Sequence, residues 1–380
     1  MGEFITKVHS TIGEIPQEDW DACAGVDNPF TSYAFLSALE KSGSATTNSG
    51  WVGQHLSVWD KGKMVAALPL YLKNHSQGEY VFDHSWANAY EAAGGKYYPK
   101  LQSSIPFTPA KASKILVHPE ANQLALKSHL VEALKSVTLE MEVSSLHLTF
   151  LTKDEADTLE KNDFLIRCDQ QFHWENNEYD NFDDFLMSLS SRKRKTINRE
   201  RREVLESEIK IEVLTGASIL ELHWDYFFEF YQDTGTRKWG QPYLSRQFFS
   251  EINQSMPNKI VLMMAKWDGY YVAGALNFLG VDTLFGRNWG TNEHHPFLHF
   301  ELCYYQAIDF AIQHKLKWVE AGAQGEHKLS RGYLPRKTYS AHYIPNSSFK
   351  GAVANYLKYE RKSIDHAIDY LYQFSPFKKT

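Results

Sequence analysis

KIVLMMAKWDGYYVAGALNFLG, residues 259–280, decides the fold. Two apolar runs flank Asp268-Gly269, and glycine supplies the positive φ that a tight hairpin turn needs. An earlier stretch, HLSVWDKGKMVAALPLYL at 55–72, has the same form around Asp60-Lys61-Gly62. Trp59-Asp60 is matched by Trp267-Asp268, and Val65-Ala66 by Val272-Ala273. Working outward, each hairpin is followed by a third strand, a helix and a further strand. In the first half these are expected near Tyr80 to Trp86, over 121–139 and in SSLHLTFL, 144–151. In the second they are DTLFGRNW (ending at Trp289), a helix from near Pro296 to about His314, and KWVEAGA. The order predicts an internal duplication within an α/β protein of mixed sheets. The alternative is chance likeness between two α/β segments. The expected domains are 1–160 and 161–380, with the charged stretch 152–170 near the boundary.

Composition narrows the class. With 380 residues and 43% hydrophobic content, the chain can bury two ordinary cores. The 14% aromatic content fits large packed surfaces and an aromatic-lined cleft. A net charge of -6 gives no overall pull toward nucleic acid or anionic membrane, so any such contact is local. Cys23, Cys168 and Cys303 are far apart and form no CxxC pair, which supports neither a disulfide framework nor a thiolate zinc site. The N-terminus lacks the pattern of a secretory signal, and no run is long enough to span a bilayer. A cytoplasmic protein is expected.

Four stretches can carry chemistry. In SSRKRKTINRERRE, 190–203, Arg192, Lys193, Arg194 and Lys195 are read as phosphate contacts. The distal half is read as a solvated helix paired through Glu200, Glu203 and Glu206. In FYQDTGTRKWGQPYL, 230–244, Gly235, Gly240 and Pro242 predict an irregular loop presenting Trp239 and Tyr243 to a ligand, or packed on the core. NEHHPFLHFELCYY, 292–305, has His295 and His299 four apart, but no carboxylate completes a metal motif, and no metal is expected. There His299 and Glu301 are read as supporting or core groups. The strongest stretch is VEAGAQGEHKLSRGYLP, 319–335. It follows a strand and sets Glu320, Gln324, Glu326, His327, Lys328 and Arg331 among three glycines. Glu326 or His327 can act as general base, and Lys328 and Arg331 can hold an anion or an oxyanion. A charged surface loop is the plain alternative. No P-loop, G-x-S-x-G elbow or dinucleotide fingerprint is present.

The runs SRKRKTINRERR, KWGQPYL, HFELCYYQAIDFAI and EAGAQGEHKLSRGYLP, with PFTPAKASKIL at 106–116, closely resemble the FemAB-like family of predicted N-acyltransferases. That family lies within the GNAT superfamily and was historically labelled peptidoglycan biosynthesis proteins. The resemblance covers about residue 4 to about 370. It implies tandem GNAT-like acyltransferase domains, acyl transfer to a small-molecule or peptide amine, and a bacterial, cytoplasmic setting. The expected catalytic residues are Glu326, His327 and Lys328. The expected substrate- or donor-binding residues are Arg192 to Lys195, Trp239, Tyr243, Trp289, His299, Glu301, Tyr304, Glu320, Gln324 and Arg331. No permanently bound cofactor is implied; the donor is acyl-CoA or aminoacyl-tRNA. GRNWGTNEHHP, 286–296, lacks the glycine turn with which GNAT domains bind the CoA pyrophosphate, and Fem transferases, which use aminoacyl-tRNA, lack it too. Superfamily resemblance favours a small acyl donor such as acyl-CoA. A ligand-binding protein that kept the fold without catalysis is the rival reading.

Overall fold

The structure, a computed structural model, describes residues 4–239, 242–322 and 325–378; the side chains of residues 237–239 and of Glu326 are outside that description. The chain forms two compact units, Met1–Asp169 with Lys337–His366, and Gln170–Arg336 with Ala367–Thr380. Sequence reading ended the first domain at 160 and gave everything after it to the second. Instead the chain returns to the first unit after residue 336.

Unit 1 holds β1 (Ile5–His9), β2 (Val52–Gly53), β3 (His55–Asp60), β4 (Lys63–Leu68), β5 (Tyr71–Lys73), β6 (Lys100–Ser103), β7 (Leu116–Val117) and β8 (Leu146–Leu151). The next strand, β9 (Leu165–Glu175), has residues in both units. Unit 2 holds β10 (Lys210–Thr215), β11 (Ile260–Trp267), β12 (Tyr270–Leu279), β13 (Thr283–Thr291) and β14 (Trp318–Glu320); the last strand, β15 (Leu334–Tyr343), again has residues in both.

The duplication is plain in the topology. Both hairpins, β3–β4 and β11–β12, turn through two residues at positive φ: Lys61 and Gly62 at 49° and 82°, Asp268 and Gly269 at 47° and 83°. Such turns match the right-handed twist of the strands they join. A register shift interrupts each hairpin near its turn, at Val58/Trp59 and at Ala265/Lys266. In unit 1, β6 runs parallel to β8 with the helix Gln123–Glu140 between them, and β15 pairs antiparallel to β8. In unit 2, β13 runs parallel to β14 with a helical crossover between them, and β9 pairs antiparallel to β14. Leu56, Leu68, Leu101, Leu130, Leu146 and Leu148 centre one core. Trp174, Phe185, Met263, Tyr305 and Tyr333 centre the other.

Three expectations are corrected. Residues near Tyr80 to Trp86 are not a strand: Tyr80 sits at φ 59°, and Trp86 lies buried on the helix His84–Ala92. The strand that precedes the crossover is β6. Residues 230–239 are not a loop. The helix Glu221–Trp239 runs through Gly235, carried by the buried spacing of Trp224, Phe227, Phe230 and Tyr231. A Cβ at Gly235 would stand 3.1 Å from Pro242, so the glycine there serves a close approach and not a bend. The crossover helix does not start at Pro296. Phe297 is left-handed at φ 62°, and helix begins at Leu298, widens to a π-helix over Glu301–Tyr305 and continues over Gln306–Gln313. His295 therefore precedes the helix that bears His299, and their spacing of four does not place them on one face.

Candidate functional site

In unit 2, β14 ends at Glu320 and the chain turns through Gly322 at φ 76° and Gly325 at φ 120°. A Cβ on Gly325 would lie 2.6 Å from the His327 ring, so only glycine fits that turn. A 3-10 turn, Glu326–Arg331, follows and ends at Gly332, φ 94°.

Arg331 anchors this loop. Its guanidinium is buried, donates to both Glu200 oxygens at 3.0 and 2.9 Å, to the Tyr305 hydroxyl at 3.0 Å and to the His327 carbonyl at 2.9 Å. It also lies 3.5 Å from the Phe300 ring centre. Tyr305 in turn donates to Glu200. These bonds occupy Arg331, so it holds the loop instead of standing ready for an anion. Glu200 is buried in line with Ile197 and Val204 on the inner face of the helix Ser191–Glu206. The π-helix lets consecutive Tyr304 and Tyr305 both serve the site, a use typical of such widened turns. Tyr304 meets His327 Nε2 through its hydroxyl at 2.8 Å. Burial pushes its phenol far above the usual range, so the hydroxyl stays protonated.

Lys328 is buried and donates to the Gly322 carbonyl at 2.9 Å. Burial lowers its pKa to about 8, with the Cys303 thiol opposing the shift. His327 is exposed. Around it stand half-buried Trp289 and His299: the His299 ring is 5.2 Å from Trp289, 5.4 Å from Tyr304 and 6.2 Å from His327. Phe300 adds a face 5.7 Å from His327. The result is an aromatic wall beside an imidazole and a buried ammonium. Glu320 is buried 3.7 Å from His173 Nδ1.

The chain's sequence matches the FemAB-like family model, described as peptidoglycan biosynthesis/recognition, over residues 11–379. The protein belongs to the FemAB-like family. No curated protein matches it. Among solved structures, FemX shares the fold at a TM-score of 0.55 with 13% identity, over 93% of this chain and 100% of that one. L-PGS from Bacillus licheniformis does so at 0.52 with 8% identity, over 87% and 98%. The C-terminal domain of a putative lysylphosphatidylglycerol synthetase from Agrobacterium fabrum does so at 0.51 with 9% identity, over 89% and 94%. These likenesses show that the chain shares the fold of FemX and of L-PGS.

Within the FemAB-like chain, the expected basic cluster divides. Lys193 turns in to donate to Ser330 at 3.0 Å, and Arg194 approaches the Met187 sulfur at 3.5 Å. Arg192 and Lys195 are exposed, as are Arg199 and Arg202. The distal half is not simply solvated. Arg201 donates to buried Glu301 at 3.0 Å and lies 4.2 Å from the Phe182 ring. Burial raises the Glu301 carboxyl while Arg201 opposes that. Tyr243 is 38% exposed. Gln324 and the side chains of Trp239 and Glu326 lie outside the described residues. Sequence reasoning took Glu200 for a partner within a solvated helix, where the structure buries it on Arg331, and it missed Tyr305 and Phe300. The available signal was Glu200 itself, an acid three residues after Ile197 and four before Val204, in the apolar stripe of an otherwise basic helix.

Proposed function

We propose that this FemAB-like protein is an N-acyltransferase that moves an aminoacyl group from aminoacyl-tRNA to an amine. The observation that carries the reaction class is the buried Lys328 ammonium beside the Tyr304-held His327 at the end of β14. The acceptor amine attacks the donor's ester carbonyl, and the carbonyl oxygen gains charge. Lys328 stabilises that oxyanion, its attraction strengthened by burial. With Nε2–H donating to the Tyr304 oxygen, His327 Nδ1 accepts the amine proton and returns it to the leaving ribose oxygen as the ester C–O bond breaks. Glu326 is the second base in this reading. Trp289, His299 and Phe300 pack against the acyl or acceptor side chain.

The donor follows from a second feature. Arg192, Lys195, Arg199 and Arg202 recur at steps of three, four and three, which lines them along one exposed face of the helix Ser191–Glu206. A stripe of cations suits a phosphate backbone. Acyl-CoA fits less well. Between β13 and the crossover helix, the Glu293 amide donates to the Thr291 hydroxyl and the Leu298 amide to the His295 carbonyl, which leaves fewer amides for a pyrophosphate. Gly290, near the end of β13, meets the backbone of Phe230, 2.4 Å from a would-be Cβ.

The test incubates the full chain with labelled aminoacyl-tRNA and a panel of amines, beside matched acyl-CoA reactions. Transfer from aminoacyl-tRNA, lost in Lys328→Met but with tRNA binding retained, is expected. Turnover with acyl-CoA alone overturns the donor. Full turnover in both Glu326→Gln and His327→Ala overturns the choice of base.

A further inference from the structure

Unit 1 buries the wrong face of a sheet. Along β5, β6, β8 and β15 the alternate residues Leu72, Leu101, Leu148 and Ala341 fill the core. The other face carries Lys73, Lys100, Gln102, His147 and His342, and every one of these is at most 2% exposed. A half-buried sheet usually turns its polar face to water. Here the segment 74–99 is inserted between β5 and β6, where unit 2 joins β12 to β13 through residues 280–282 alone.

Lys73 and Lys100 sit directly opposite one another, an arrangement of like charges that disfavours strand pairing. Lys100 is matched: it donates to Glu79 at 2.7 Å, to Asp83 at 2.5 Å and to Ser76 at 2.8 Å. Lys73 is not. Its ammonium donates to the Gln77 carbonyl at 3.1 Å, lies 3.6 Å from the Trp51 ring centre, and stands 4.0 Å from the Glu79 carboxylate. Beside it the Trp51 indole N–H, on a side chain 1% exposed, has no hydrogen-bond partner. Neither does the near Glu79 oxygen, Oε1. Burial lowers the Lys73 pKa to about 7, with Glu79 opposing and Lys100 adding to the shift. A buried cation whose carboxylate partner stands 4.0 Å away, next to an unused N–H donor, contributes little stability by itself.

We propose that unit 1 holds a second ligand site, in which Lys73 and the Trp51 indole N–H bind the carboxylate of a small organic acid. One cation and one neutral donor match the two oxygens of a carboxylate. Asp83 and Glu79 close by disfavour a dianion such as phosphate. The Gln77 carbonyl, which accepts from Lys73, belongs to the inserted segment 74–99. This site stands apart from the transfer reaction in unit 2 and does not depend on it.

The full chain is titrated with acetate, glycine and inorganic phosphate at constant ionic strength. Two signals are read: the melting temperature, and the ¹H–¹⁵N indole resonance identified by its loss in Trp51→Phe. Acetate or glycine is expected to raise melting by at least about 2 °C and to move that resonance. Both effects vanish in Lys73→Met, and phosphate produces neither. Without ligand, Lys73→Met is expected to melt at or above the parent temperature. No response to either carboxylate, a response that survives Lys73→Met, or a response to phosphate alone overturns the proposal. So does a Lys73→Met protein that melts well below the parent or does not fold, because Lys73 is then a structural ion.

Discussion

Lys328 sets the pH behaviour expected of the site. Its pKa, about 8, lies below the ordinary value of 10.5, so it is charged below about pH 8 and neutral above. If the charged form stabilises the oxyanion, transfer is expected to fall about tenfold per unit above pH 8. Lys328→Arg should move that limb upward, because guanidinium keeps its charge; a limb unmoved by the substitution assigns it elsewhere. The same shift has a stability sign. Between about pH 8 and 10.5 the unfolded chain binds the proton that the folded one has lost, so this group's contribution to stability rises with pH across that window. Glu200 gives a second expectation. Glu200→Gln leaves Arg331 buried without its counter-ion and is expected to cost about 3–5 kcal/mol in urea unfolding. A loss under about 1 kcal/mol would make the pair dispensable. At this scale the sequence marked the loop 319–335, because glycines among ionisable groups after a strand are a strong signal. It did not separate roles. Arg331 and Lys328 look alike as cations, and only the inner face of a distant helix shows that one is consumed by Glu200 while the other is held by a carbonyl.

The basic helix Ser191–Glu206 shows how an element sorts residues that look equivalent in sequence. Glu200 and Arg201 turn inward, while Arg192, Lys195, Arg199 and Arg202 share the exposed face. Replacing Arg192, Lys195 and Arg199 by Glu is expected to abolish tRNA binding in moderate salt and leave the melting temperature within a few degrees. In the parent, log affinity against log salt should have a slope of about -3 to -4 for four phosphate contacts. A slope near zero removes the polynucleotide donor. The hairpins were legible because Asp-Gly and Lys-Gly turns are local chemistry. The helix Glu221–Trp239 was not, because Gly235 reads as a breaker unless the apolar spacing of Trp224, Phe227 and Phe230 is given more weight. The segment 80–86 misled for the converse reason: its aromatics have strand propensity, but Tyr80 takes a positive φ, Phe82 is exposed and Trp86 packs from a helix against His147 and His342, so propensity yields to packing.

At the scale of the whole molecule, duplication was readable and domain boundaries were not. Repeated hairpins announce two units, but no local signal says that a strand and a helix after residue 336 belong with the first. The physical reason is that β8 has Leu146 and Leu148 in a core to which β15 contributes Ala341, paired opposite Leu148. The return is reinforced by Arg167, which donates to both oxygens of Glu360 at 2.9 and 2.7 Å. A separate cluster joins Trp86 and Tyr97 to Ile344, Phe349, Val353 and Leu357. A fragment of residues 1–160 therefore lacks β15, half of that cluster and the Arg167 pair. It is expected to give an expanded, poorly dispersed state with no cooperative melt. Fusing 1–169 to 337–366 through a flexible linker restores those contacts and should produce dispersed amide signals and a single cooperative transition. A cooperatively folded 1–160 would instead mean that the first unit closes its core without the returning strand, and that the halves are consecutive domains after all.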